Sequence, residues 1–572
     1  MQNRTFSEKT KIKATAGCVT IACFLLLFVI YPPMLSINDD MMIESILSGS
    51  YLRAYPYSYY FSAELGWILS SLYKVFPGAP WLGIFDILCN ALCVYNILFT
   101  VLARIKTRKG KCFSAIFLIL LFMALCGKSF VLLHYTVLSA VLGATGLFLF
   151  VTAKNKKEMI RPIMLLLLCY LVRENVCFML LPWLGLVFLL RLSEEKAAFI
   201  KEFRYCAAVF ALAFISLFLI NRLSTGGEKW EEYLEYNDVR TEVYDYLGIY
   251  RDEAAESYFA QHGVNETELD LFGSYNLLLM DKERSGYEEL KIVAEYAKTR
   301  LPGQKQRLIS AFKSYVHRFL LERTDAPWNV VAGLFYAVLL LHFLWKKKLT
   351  DSFVIVLMGI YRSAFWTYLI YKGRYPERVT YSFYIMEIAV LAAVLYKEIS
   401  AASTWTEKTG SKMKKVRILI AAAAGIFLLG TGILQLRETS KQYREAAVIN
   451  ADDNLLMDYM AAHAENFYFL DVYSIVQRTK PALLSQGTVK ENYLWMGGWM
   501  TQQPLCLEKL DRLFDGAKNA KEALLTAEHA YLVLKEGRGM SVELAQKCLG
   551  KELIQEDSIQ GKEYTFLIYR VE

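Results

Sequence analysis

Residues 12–40 read IKATAGCVTIACFLLLFVIYPPMLSINDD, and this stretch decides how the rest of the chain is read. The run over residues 12–35 is long and apolar enough to cross a bilayer, which takes about 20 such residues. Ser36-Ile37-Asn38-Asp39-Asp40 follows at once. Two carboxylates, Asp39 and Asp40, therefore stand at the mouth of a membrane helix, on the side away from the N-terminus. Charges near lipid are costly to keep and mark function by default.

Composition supports this reading. The chain has 572 residues, of which 55% are hydrophobic and 14% aromatic, and its mean hydropathy is +0.28. That is too apolar for an ordinary soluble protein. The net charge of +8 does not point to nucleic acid. Its basic residues fall in short runs between apolar segments, the pattern of cytoplasmic membrane loops. The first apolar run is too long for a cleavable signal, and no small-residue cleavage site follows it, so it is expected to stay as a span. The eleven cysteines form no CxxC pair and no Cys/His cluster, which argues against structural zinc and a disulfide scaffold. Cys506 and Cys548 lie outside the apolar runs, and spacing leaves open whether they pair.

Arg4, Lys9, Lys11 and Lys13 place the N-terminus inside by the positive-inside rule. Further spans are expected over residues 81–103, 113–127, 130–152, 162–172, 176–190, 205–220, 328–345, 353–371, 379–396 and 416–434. Every loop that alternation assigns to the cytoplasm is basic. The fold class is thus a polytopic α-helical membrane protein of about 11 transmembrane helices, N-in and C-out. Residues 1–435 form the membrane domain, with an outer loop over 36–80 and a large outer loop over 221–327. Residues 436–572 read as a small extracytoplasmic α/β domain. Its expected helix covers 452–463, and its expected strands cover 467–472, 530–534 and 565–571.

Within the first outer loop, residues 41–50 suit a short helix carrying Glu44, followed by an aromatic-rich loop containing Arg53. Residues 61–76 suit a surface helix carrying Glu64, ended by Pro77-Gly78-Ala79-Pro80. Residues 301–321 have amphipathic spacing with Lys305, Arg307, Lys313 and Arg318. That helix either touches lipid head groups or packs as a solvated helix on its own loop. Gly497-Gly498-Trp499 reads as a packing turn or a contact surface.

The outer side collects the candidate site: Asp39, Asp40, Glu44 and Glu64, then Arg173 and Glu174, then Lys372, Arg374, Glu377 and Arg378. The basic members run against orientation statistics, which implies a compensating role. Arginine offers a planar fork of donors to phosphate, and a carboxylate takes a proton or holds a cation. The set fits transfer of a group from a lipid phosphate. The competing reading pairs neighbours structurally, Arg173 with Glu174 and Arg378 with Glu377. Asp86 inside the second span is a relay group or a packing contact, and His134 reads as a satisfied core histidine.

An acidic pair just outside the first span, followed by surface helices before the second, resembles the GT-C superfamily of integral membrane glycosyltransferases. The many spans, the outer arginines and the soluble C-terminal domain agree with it. Asn38-Asp39-Asp40 and Gly373-Arg374-Tyr375-Pro376-Glu377-Arg378-Val379 also resemble stretches of uncharacterised bacterial membrane proteins of similar layout. The resemblance implies an essential carboxylate in the first outer loop, so Asp39 or Asp40 as base or metal ligand. It implies a polyprenyl-phosphate sugar donor, a cell-envelope glycan or glycolipid acceptor, and transfer on the outer face of the cell membrane. Any metal would be a divalent cation, Mg or Mn, on Asp39 and Asp40. No Trp-Trp-Asp motif is present, so protein N-glycosylation is not supported. The rival functions are a transporter or flippase of a lipid-linked or anionic substrate, and a non-catalytic envelope assembly protein. Transport would need a polar path, yet apart from Asp86, Lys128, His134 and scattered Ser, Thr and Asn the spans read as largely apolar.

Overall fold

A computed structural model of the chain describes residues 7–36, 38–321, 325–403, 411–485 and 489–572. The chain opens with α1 (Glu8–Ile30), whose first turn is capped by Ser7 accepting from the Thr10 amide. Pro32 and Pro33 stop it, and the chain continues as β1 (Met34–Leu35) into α2 (Asn38–Ser48). This helix starts earlier than its apolar pattern suggests. Asp39 and Asp40 sit in its first turn, where the free amides and the helix dipole favour carboxylates.

Next come α3 (Ala63–Val75), α4 (Trp81–Leu102), α5 (Arg108–Val131), β2 (Leu132–Leu133), α6 (Tyr135–Thr152), α7 (Lys156–Val172) and α8 (Glu174–Ser224). The large loop holds α9 (Glu228–Glu242), α10 (Glu253–Gln261), α11 (Glu266–Ser274), α12 (Tyr287–Thr299) and α13 (Gln304–Leu321). The chain returns through α14 (Trp328–Trp345), α15 (Leu349–Lys372), α16 (Glu377–Ser403) and α17 (Ser411–Ala462).

Among the described residues, nine segments are long and apolar enough to cross a membrane: 8–30, 81–102, 108–131, 135–152, 174–194, 203–224, 328–345, 349–372 and 377–400. The chain is a multi-pass helical membrane protein. Two expected spans are not among the nine. The span expected over 162–172 belongs to α7, a 17-residue helix that begins with Lys156, Lys157, Glu158 and Arg161. At 1.5 Å per residue it measures about 26 Å, short of the hydrocarbon core. The span expected over 416–434 falls in α17 and lies partly outside the described side chains.

Two segments of the nine share α8, which doubles back on itself. Glu174 pairs with Arg222 at 2.7 Å, Phe178 meets Phe214 at 6.4 Å, and Phe188 meets Phe203 at 5.6 Å. Helix α6 is buried along its whole length. Its glycines permit this: a Cβ on Gly143 would enter Leu180 and Cys169, and one on Gly146 would crowd Leu166. Small residues let membrane helices approach closely, so α6 is the central pillar.

The C-terminal region adds β3 (Phe467–Leu470), β4 (Lys480–Pro481), β5 (Tyr493–Trp495), α18 (Pro504–Leu513), α19 (Ala520–Thr526), β6 (Ala530–Lys535), α20 (Val542–Leu549), β7 (Leu553–Gln560) and β8 (Thr565–Val571). The main sheet has order β5-β3-β6-β8-β7, with β3 parallel to β5 and β6 and the other pairs antiparallel. The expected strands are present, and β5 and β7 join them in the same sheet. Helix α17 runs unbroken across residues 435 and 436. Cys506 and Cys548 are both buried free thiols.

A small second sheet fixes where this region sits. β1 pairs in parallel with β2 and antiparallel with β4. The chain leaving α1, the chain entering α6 and a strand of the C-terminal region are therefore hydrogen-bonded together, beside Asp39 and Asp40. At the same face a Cβ on Gly83, near the start of α4, would enter the Ala482 carbonyl.

Candidate functional site

Asp39 is 8% exposed and Asp40 1% exposed. β1 ends four residues before Asp39 and ties their helix to the sheet, so neither carboxylate moves freely. Around Asp39 the fold gathers side chains from six separate segments. Arg173 lies at the break between α7 and α8, where an extended backbone (φ −156°, ψ 103°) separates the two helices. Its guanidinium lies over the rings of Tyr60, at 4.6 Å, and Tyr135, at 5.4 Å. Those two rings stack on each other at 5.1 Å. Arg378 comes from the first turn of α16, just after Pro376. Arg240 comes from α9 and is held by Asn237 and by the Tyr275 hydroxyl. Trp499 packs on Tyr60 at 5.0 Å, and its carbonyl accepts from Tyr233.

These neighbours set the charge balance. Burial raises the Asp39 carboxyl above its usual range, while Arg378, Arg173, the Trp499 side chain and Arg240 pull it back down. Asp40 is pushed much higher, first by burial and then by Asp86, although Tyr135 donates its amide to Asp40 at 3.1 Å. Arg378 pulls down both carboxyls, and Asp39 is also pulled down by Arg173 and Arg240. His134 caps α6 by accepting from the Thr136 amide, and burial together with Arg378 and Arg173 keeps it neutral.

Arg374 reaches the same field but has its own partner, forming an ion pair with Asp245 of the large loop. Among the described residues, neither Arg173 nor Arg378 has a carboxylate partner. The neighbour pairings weighed in the sequence do not occur. Glu174 pairs with Arg222, and Glu377 pairs with Lys128 at 2.8 Å.

The other candidates lie apart. Glu44, one turn beyond Asp40, is buried against Lys480 at 2.7 Å and accepts from the Tyr73 hydroxyl. Glu64 sits in the first turn of α3, within the field of Tyr170 rather than of the arginines. Lys372 stands 5.9 Å from the Tyr246 ring.

Arg240, Tyr275 and Tyr135 escaped the sequence reading. Arg240 and Tyr275 sit in a polar loop with no local pattern to single them out. Trp499 follows a Gly-Gly pair that reads equally well as a plain turn. In the structure that turn is a contact: a Cβ on Gly497 would enter the Tyr275 carbonyl, and the Leu278 amide donates to Met496 at 2.8 Å. The same turn carries Trp499, whose side chain hydrogen-bonds toward Asp39 and lowers its carboxyl. The spans are also less apolar than they read, because Arg362 of α15 and Glu387 of α16 form a buried ion pair.

The donor set does not fit a divalent cation. Asp39 and Asp40 are consecutive on a helix, so their side chains diverge by about 100°. Among the described residues no group of three or more His, Cys, Asp or Glu is arranged to hold a metal. Arginines crowd the same field. What the arrangement suits is an anion held by Arg173 and Arg378 beside a buried carboxylate. No family model, curated protein or solved structure matches this chain.

Proposed function

We propose that the protein is a membrane glycosyltransferase that moves a sugar from a polyprenyl-phosphate donor to an acceptor hydroxyl. Its site would face the outside of the cell membrane, with the C-terminal domain extracytoplasmic. The observation that carries this reading is the buried Asp39 carboxylate beside two guanidinium groups that have no carboxylate partner among the described residues. A phosphate would supply the missing negative charge, and Arg binds it through paired donors.

The chemistry follows from the placement. The acceptor oxygen attacks the anomeric carbon and gives its proton to Asp39. The bond from that carbon to the phosphate oxygen breaks, and its electron pair stays on the phosphate. Arg173 and Arg378 stabilise the charge that develops there. Burial raises the Asp39 carboxyl and so makes it a stronger base, while the same arginines pull it back down and favour its ionised form. Orientation rests on the basic ends opposite the site, such as the Lys346 and Lys348 pairs with Glu398.

The test is sugar transfer in reconstituted membranes with a panel of polyprenyl-phosphate sugars. Transfer that disappears in Asp39→Asn, with folding retained, supports the reading. Full activity in both Asp39→Asn and Asp40→Asn sinks it. Transport of an anionic or lipid-linked substrate is the second reading, and the buried Arg362–Glu387 pair favours it, because charges inside spans often mark pathways. Substrate flux across liposomes that stops in Arg362→Met, without any transfer, would decide for transport.

A further inference from the structure

Helix α13 is not one of the nine spans, yet it carries an exposed apolar stripe. Leu308, Phe312, Val316 and Leu320 recur every four residues and are between 38% and 67% exposed. Residues four apart lie one above another on a helix, so they form a single face. The neighbouring face is buried through Ala311 and Tyr315. Lys305 and Lys313 border the stripe, and Ser310, Ser314 and His317 form a separate exposed polar edge.

What α13 packs on identifies what covers the stripe. Arg307 donates to the Tyr371 carbonyl at 2.9 Å, and the Tyr315 hydroxyl meets Ser363 at 3.0 Å. Both partners lie on α15, one of the nine candidate spans. The two contacts run antiparallel and are eight residues apart on each helix, about 12 Å. The helix therefore lies along the flank of a membrane-crossing helix, beginning at its site-face end. Helix α15 is itself exposed and apolar at Ile360 and Tyr368. Farther along, Arg318 is neutralised by two bonds to Asp325, each 2.7 Å. Neutralising that charge suits an apolar surround.

We infer that α13 is a leaflet-docking helix, whose Leu308–Phe312–Val316–Leu320 face sits in the acyl chains of the site-face leaflet. Lys305 then lies at head-group level, where phospholipid phosphates complement it, and Lys313, about 12 Å deeper, extends its alkyl stem back toward that level. The docked helix also braces the site. Arg307 holds Tyr371, and Arg318 lies over the Tyr375 ring at 4.9 Å, so α13 flanks the turn that presents Arg374 and Arg378. Nothing in this inference depends on the transferred group.

Photocrosslinking of the full-length protein tests it, in nanodiscs of phosphatidylglycerol and phosphatidylethanolamine. The photoreactive residue p-benzoylphenylalanine replaces Phe312 or Ser314, and replaces Leu212 on the exposed flank of α8 as a positive control. After irradiation, the expected result is a mass increase of one phospholipid at positions 312 and 212 and none at 314. A lipid adduct at 212 but not at 312 overturns the inference. So do equal adducts at 312 and 314, or a protein–protein adduct at 312, which would assign the stripe to a second copy or to the loop itself.

Discussion

Lys480 of the C-terminal region donates to Glu44 of α2 at 2.7 Å, and both side chains are almost fully shielded from solvent. The bond spans 436 residues of sequence and joins the helix that carries Asp39 to strand β4. Burial raises the Glu44 carboxyl and lowers the Lys480 ammonium, so each needs the other to stay charged. Removing one partner strands a buried charge, which costs about 3–5 kcal/mol. Lys480→Met is expected to lower the unfolding temperature sharply in detergent, and Glu44→Gln/Lys480→Met to recover much of the loss. If the double variant is no better than the single, the pair is not what holds the two regions together.

Gly497 is expected to accept no larger residue. A Cβ there has to displace the Tyr275 backbone, and with it Trp499. Gly497→Ala should reduce thermal stability and also weaken turnover. Gly273, in open surroundings, is the control: Gly273→Ala should cost neither. Equal behaviour of the two variants would remove the close approach as an explanation.

Asp471 predicts a pH trend. It follows β3 directly and accepts from Asn276 at 2.6 Å, from the Tyr473 amide at 3.0 Å and from the Met540 amide at 3.2 Å. Burial pushes its carboxyl up from 3.8 to about 6. A folded value above the unfolded one means the native state binds the proton more tightly. The stability this contributes is complete below pH 4 and is lost as pH rises through 6, on the order of 2 kcal/mol. Asp453, also raised to about 6 by burial, adds a slope of the same sign. Unfolding temperatures of the full chain between pH 4 and 7 should fall more steeply in the wild type than in Asp471→Asn. Parallel profiles would contradict this.

The arginines separate binding from chemistry. If Arg173 and Arg378 hold the donor phosphate, Arg173→Ala and Arg378→Ala each lose charge-assisted bonds, which corresponds to about 10–100-fold in donor affinity. Asp39→Asn should instead lower kcat, by about 100-fold or more, with KM little changed. Arg173→Lys is expected to recover only part of the loss, because Tyr60 and Tyr135 stack a planar group. Donor titrations of the purified variants make the comparison. Chelators should leave turnover unchanged, since the carboxylates are not arranged for a cation. Identical KM values across the arginine variants would rule out phosphate binding at these residues.

Hydropathy and charge alone determine that this chain crosses the membrane many times, that Asp39 and Asp40 follow the first crossing, and that arginines break the apolar pattern near 173 and 374–378. Those features are local: each depends on residues within one helix length, where apolar runs and basic flanks have a direct physical cost. The partners of those charges were not legible. Glu174 chooses Arg222 and Glu377 chooses Lys128, rather than their chain neighbours, because successive residues at a helix start point in different directions. The Arg362–Glu387 pair stayed hidden because each residue looks isolated within its own span. Only the packing of β4 against β1, and of Gly497 against Tyr275, brings Trp499 and Arg240 to Asp39. Such contacts join segments hundreds of residues apart, and they depend on shapes that form only once the helices are assembled.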